Sequence, residues 1–180
     1  MLATRPMSNA LPKYSLPENE RRWRVSAIPT FSTSVHSRLI EDSYIDGSRL
    51  RLRRITDHSG ALTYKLVKKY LPDADDAHAI TNLYLSASEY ALLSQLPAHR
   101  LRKRRYVQHF KQWQFAIDVF EDALAGLVLT ETDQPSRAVL ATVQPPPWAG
   151  AEVTEDIRFT GAALAQLNAQ EVQRLLDIPR

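Results

Sequence analysis

The stretch Ser48–Ile55, SRLRLRRI, puts Arg49, Arg51 and Arg53 on alternate positions, with Leu50, Leu52 and Arg54 between them. Along a strand successive side chains point to opposite faces, so these three arginines share one face. An ordinary half-buried strand turns leucine inward and charge into water, and a row of arginines needs another explanation. The alternation recurs along the chain: Glu18, Glu20, Arg22 and Arg24; Lys65 and Lys69 with Val67 between; Lys103 and Arg105; Asp118 between Ile117 and Val119; Glu131 and Asp133; Glu152 and Asp156. The opposite phase carries Leu50, Leu52, Leu66, Phe115, Ile117, Val119, Val153 and Ile157.

One geometry accounts for both phases. Strands that close into a barrel make one face a lumen and the other an outside. The charges would line the lumen, and helices near residues 88–97 and 161–176 would cover the apolar outer face. Isolated buried charges cost several kcal/mol each unless they are paired. A lumen of mixed charge therefore calls for water, a cation and an anionic ligand. Arginine and lysine match phosphate oxygens, arginine in two-pronged fashion. Paired carboxylates with no cysteine or histidine beside them suit a hard cation such as Mg²⁺ or Mn²⁺.

The rest of the sequence narrows the class. At 180 residues, 44% apolar and 24% charged, the chain can bury one domain's core. With no cysteine, disulfides and thiolate metal sites are excluded. No apolar run approaches the ~20 residues of a membrane helix. Residues 1–16 read as an irregular tail without a secretory core, 17–180 as a single domain, and the cytoplasm as the default location. Strands are expected at ENERRWRV, SRLRLRRI, ALTYKLVKKYL, TNLYLS, LRKRRYVQHF, WQFAIDVFED and LAGLVLTETD. TDHSG reads as a hairpin turn, and the segment from Pro29 to Gly47 as a turn with a short helix. Ser86 and Glu89 have capping-box spacing ahead of a helix, QPSRAVLATVQPPPWAG reads as a linker, and AEVTEDIRF as a last short strand or turn. Thr160 and Asn168 cap one or two C-terminal helices. No glycine-rich phosphate loop is present, so side chains must hold any phosphate. The five histidines lack metal-ligand spacing, and the tryptophans Trp23, Trp113 and Trp148 read as packing residues. HRLRKRRYVQHF is basic with aromatics, but its two-residue period favours the lumen over nucleic acid.

Taken in order, these segments resemble the CYTH domain, the triphosphate tunnel metalloenzyme family. ENERR is similar to that family's E-x-E-x-K strand, with Arg22 at the lysine position. RLRLRR resembles its arginine strand, YKLVKKY its lysine strand, LRKRRY its K-x-R-Y, and LTETD its E-x-E. WAGAEVTEDIRF is similar to its G-x-E-V-T-x-D segment. The likeness runs from about Glu18 to Ala165. It implies an α+β, mainly β fold: a closed antiparallel eight-stranded tunnel barrel with helices packed outside. It also implies Mg²⁺ or Mn²⁺ at Glu18, Glu20, Glu131 and Asp133. Triphosphate would lie at Arg22, Arg49, Arg51, Lys69, Lys103 and Arg105, with Glu18, Glu20 and Arg22 at the reaction centre. The implied activity is hydrolysis of the terminal phosphate of inorganic triphosphate or a related triphosphate-containing small molecule. A polyphosphate-binding module of weak activity and a class IV-type adenylate cyclase are the alternatives. Asn82 and Tyr84 stand where many members carry acids, and Val67 where threonine is common.

Overall fold

Alternating side chains build most of the regular structure from strands. The computed structural model describes residues 12–25, 29, 36–70 and 78–177. Ten strands form: β1 Leu16–Glu18, β2 Glu20–Val25, β3 Arg38–Ile45, β4 Leu50–Thr56, β5 Leu62–Lys69, β6 His78–Leu85, β7 Ala98–Phe110, β8 Trp113–Phe120, β9 Val128–Asp133 and β10 Ala149–Glu152. Four short helices join them: α1 Ala87–Leu93, α2 Arg137–Ala141, α3 Gly161–Leu164 and α4 Ala169–Leu176. The Ser86–Glu89 capping box is formed, and Thr160 and Asn168 cap α3 and α4 with their side chains. Lys111, in the left-handed region at φ 53°, makes the tight β7–β8 link.

The closed eight-stranded barrel is not what forms. Among the described residues all ten strands lie in one antiparallel sheet, in the order β1-β6-β5-β4-β3-β7-β8-β9-β2-β10, and no ladder of hydrogen bonds joins its two ends. The reason lies at Asn19. What alternation reads as one strand is two, separated by this single residue, whose carbonyl accepts the Gln134 amide. β1 pairs with β6, whereas β2 pairs with β9 and β10. The sheet must therefore curl until one short stretch of chain reaches both of its ends. Contact of β1 with β6 covers only Leu16–Glu18 against His78–Ile80.

Two further expectations are corrected. Residues 38–45, read as part of a turn and helix, form β3. Its inward positions, Ile40, Asp42 and Tyr44, mix apolar and charged residues and hide the alternation. The remainder of that segment, residues 30–35, and the tail before residue 12 lie outside the described residues. The linker after β9 contains α2, capped by Ser136, and its Leu140 packs with Trp23, Phe115 and Val143 on the outer face.

Helix α1 does cover the outside: its Tyr90 ring lies 4.5 Å from Tyr64 of β5. The C-terminal helices do not. The β7–β8 and β8–β9 registers put Leu101, Phe120 and Leu129 on the same face as Lys103, Asp118 and Glu131. These three apolar residues form the main core with Phe159, Leu164, Val172 and Leu175. The inner face is thus charged in its middle and apolar at one end, where α3 and α4 seal it. Arg22 donates to the Phe159 carbonyl at 2.9 Å and Arg24 to the Leu176 carbonyl at 2.8 Å. The second bond ties a cation to the C-terminal end of α4, where the helix dipole favours positive charge. Ile157, expected in the apolar phase, is instead 76% exposed, because it lies in a 3₁₀ turn rather than a strand.

Candidate active site

Register brings the charges of non-adjacent segments into one network on the inner face. Arg22 of β2 lies opposite Glu131 of β9, and Arg105 of β7 opposite Asp118 of β8. Asp118, almost fully buried, accepts from Lys103 Nζ at 2.6 Å and from Arg105 Nε and Nη2 at 2.6 Å each. Arg105 also pairs with Glu131, Glu131 with Arg22 at 3.4 Å, and Arg22 with Glu20. Charge thus alternates in sign from Lys103 to Glu20, which is how a buried ionic cluster offsets its own desolvation. Burial opposes the charge of Glu131, but Arg105, Lys103 and Arg22 hold its carboxyl well below the usual range. Asp118 is depressed in the same way, with Arg105 and Lys103 outweighing burial.

A second network forms on β3 and β4. Asp42, 1% exposed, receives both prongs of Arg53 at 2.6 Å, and Arg51 Nε stands 3.8 Å from it. Burial raises the Asp42 carboxyl, yet Arg53 and Arg51 together pull it far down. Arg51 is also hydrogen-bonded with the Tyr44 hydroxyl. Its Nε is buried without a hydrogen bond, and its counter-charge is the Asp42 carboxylate at 3.8 Å. Tyr44 packs so closely on α3 that a Cβ at Gly161 would stand 1.9 Å from its hydroxyl oxygen.

Arg51 faces a cavity of about 380 Å³, whose walls include Arg49, Lys69, Tyr44, Tyr70 and His99. Lys69 donates to Glu18 at 2.6 Å, linking β5 to β1. The two networks meet electrostatically across the curl: Lys69 helps to lower Glu131, and Glu18 acts on both Arg51 and Asp133. Of the residues singled out from the sequence, Glu18, Glu20, Arg22, Arg51, Lys69, Lys103, Arg105 and Glu131 converge on this inner face. Arg49 sits exposed on the cavity rim, and Asp133 is exposed opposite Glu20. Asn82 and Tyr84 share the inner phase with Val67 and Lys65, and both are exposed.

The acids fit a hard divalent cation in donor chemistry, since all four offer oxygen only. Burial and the nearby Glu131 raise the Glu20 carboxyl, while burial, Glu18 and Glu131 raise Asp133. This crowding of negative charge is what a cation relieves. Among the described residues no three acids or histidines are already gathered as a metal cluster. Instead Glu18, Glu20 and Glu131 each lean on a base.

Sequence reasoning left Asp42 and Tyr44 without a role and noticed Asp118 only as an in-phase acid. Asp118 carried a signal, the lone acid between Ile117 and Val119. Asp42 carried none, because it follows Glu41 and only the pairing with Arg53 shows which of the two points inward.

Comparison with known proteins agrees with this geometry. No family model matches the chain. An inorganic triphosphatase of Nitrosomonas europaea is 28% identical over 154 residues, covering 82% of this chain and 96% of the relative. The crystal structure of the inorganic triphosphatase NE1496 superposes with a TM-score of 0.56 at 25% identity, over 82% of this chain and 93% of that one. A second crystal structure of NE1496, described as a hypothetical protein, gives 0.58 at 26% over 84% and 99%. The chain has the CYTH, or triphosphate tunnel, fold. Among the described residues no helix is long and apolar enough to cross a membrane.

Proposed function

We propose that this CYTH-fold chain hydrolyses the terminal phosphate of inorganic triphosphate, using Mg²⁺ or Mn²⁺. The observation that carries the reading is Arg51, which is held beside Asp42 and lines a cavity together with Arg49 and Lys69. Three cations on one wall match the several anionic oxygens of a polyphosphate. The resemblance to the Nitrosomonas europaea inorganic triphosphatase, over nearly its full length, supports hydrolysis as the outcome of that binding.

In this reading Arg49, Arg51 and Lys69 bind and orient the phosphate chain from the cavity side. Arg22, Lys103 and Arg105 stand deeper and stabilise the charge that develops on the transferred oxygens. Asp118 fixes Lys103 and Arg105, and Asp42 stands beside Arg51, so little reorganisation is needed when the substrate arrives. Glu18, Glu20, Glu131 and Asp133 would hold the divalent cation, which supplies neutralisation of phosphate charge and activation of water. Arg22 keeps the positive charge of the motif lysine but does not exchange a proton at neutral pH; it therefore acts as an electrostatic group, not as an acid. Residues 17–180 work as one domain.

Phosphate release tests the reading. Tripolyphosphate with Mg²⁺ or Mn²⁺ should yield orthophosphate, chelator should stop it, and Glu18→Ala should abolish it. Tight tripolyphosphate binding without turnover would replace the enzyme with a binding module, and cyclic AMP from ATP would replace it with a cyclase.

A further inference from the structure

Among the described residues, one edge of β6 is only partly covered. Its partner β1 covers only His78–Ile80, and among the described residues no backbone pairs with Thr81–Leu85 on that side. Among the described residues, the chain ahead of β1 leaves the edge at once. A turn at Pro12–Ser15, with Tyr14 at φ 70°, diverts it there. Pro12, in that turn, has no amide to give to a ladder. Long apolar edges are usually blunted by lysine, proline or a bulge. This one, Thr-Asn-Leu-Tyr-Leu, has no charge and no proline, with Leu83 54% and Tyr84 72% exposed.

We propose that two copies of this chain pair through β6, antiparallel about a two-fold axis at Leu83. The backbone phase supports that axis. The Tyr70 amide donates to the Ala79 carbonyl, so Ala79, Thr81, Leu83 and Leu85 turn their peptide groups toward β5. Asn82 and Tyr84 turn theirs toward the open edge. A two-fold at Leu83 sets Asn82 against Tyr84 of the other copy twice, each as a hydrogen-bonded pair. The two Leu83 side chains then meet in the close, non-hydrogen-bonded position between them. Because the edge is neutral, self-pairing brings no like charges together, and an isologous contact needs only the one surface. The edge lies at the Lys65 end of β5, away from Lys69 and the cavity, so pairing leaves the proposed site open.

The test uses the full chain and does not depend on its activity. Light scattering should give twice the chain mass for the parent and the single-chain mass for Leu83→Lys, with triphosphate hydrolysis unchanged. Because the parent has no cysteine, Leu83→Cys supplies an independent reading should Leu83→Lys fail to fold. Two cysteines across such a pair fall within disulfide reach, so mild oxidation should give a covalent dimer, whereas Leu92→Cys on α1 should not. A monomeric parent, a Leu83→Lys variant that stays dimeric, or a Leu83→Cys variant that cross-links no better than Leu92→Cys would each overturn the proposal.

Discussion

Replacing Asp118 with asparagine tests the central electrostatic claim. Asp118 is 1% exposed and is the acceptor shared by Lys103 and Arg105. Asparagine preserves the shape but removes the negative charge, leaving two buried cations side by side. Removing one partner of a buried ion pair costs about 3–5 kcal/mol. Arg105 keeps Glu131, so the lower part of that range is expected, near 3 kcal/mol. For a chain of this size each kcal/mol moves Tm by about 2–4 °C, so Tm should fall by about 6–12 °C. The acid limb supplies a second reading. The folded-state carboxyl is held below its ordinary value, so the unfolded chain takes up the proton more readily. Its contribution is therefore complete above about pH 4 and is lost as pH falls further. The variant should show a shallower loss of stability in that window. Tripolyphosphate should also restabilise the variant more than the parent, since it meets cations without a counter-charge. Thermal melts with and without tripolyphosphate, across pH, decide the matter. A Tm within about 2 °C of the parent, with an unchanged acid limb, would refute the argument.

The remaining predictions concern single contacts. Arg51→Ala should keep the fold and lower kcat/KM for tripolyphosphate by on the order of 100-fold, the worth of a charged hydrogen bond of about 2–3 kcal/mol; an unchanged rate at low substrate would displace Arg51 from the site. Glu20, raised by burial and Glu131, must release its proton to bind a cation, so apparent Mn²⁺ affinity should rise with pH from about 4.5 upward. Its folded-state pKa is raised, so protonated Glu20 favours the folded chain at low pH and that benefit is lost as pH rises through it. Calorimetry on Glu20→Gln should lose the proton release. Gly161→Ala should destabilise by about 1–3 kcal/mol through overpacking on Tyr44, and Tyr44→Phe, by removing the hydroxyl, should recover part of it in a double-mutant cycle.

Period-two alternation and opposite-phase leucines were enough to read the inward arginines and most of the strands, because strand geometry ties side-chain direction to position in sequence; Glu152 and Asp156, read as an inward pair, instead meet Arg21 on the outer face and Arg158 at a 3₁₀ turn. The caps at Ser86, Thr160 and Asn168 were equally legible, being local hydrogen bonds. Strand β3 was not, since Asp42 is tolerable on an inner face only where Arg53 and Arg51 stand opposite, and those partners lie elsewhere in the chain. Nor could the alternation tell one strand from two at Asn19, or place Leu101, Phe120 and Leu129 on the charged face beneath the C-terminal helices. The sequence by itself determined the face of most strand charges, though not of Asp42 or of Glu152. Tertiary structure alone decided which charges neutralise one another, which one is left facing a cavity, and how the sheet curls without a closing ladder, because pairing register and chain reversal are set by contacts between residues far apart in the sequence.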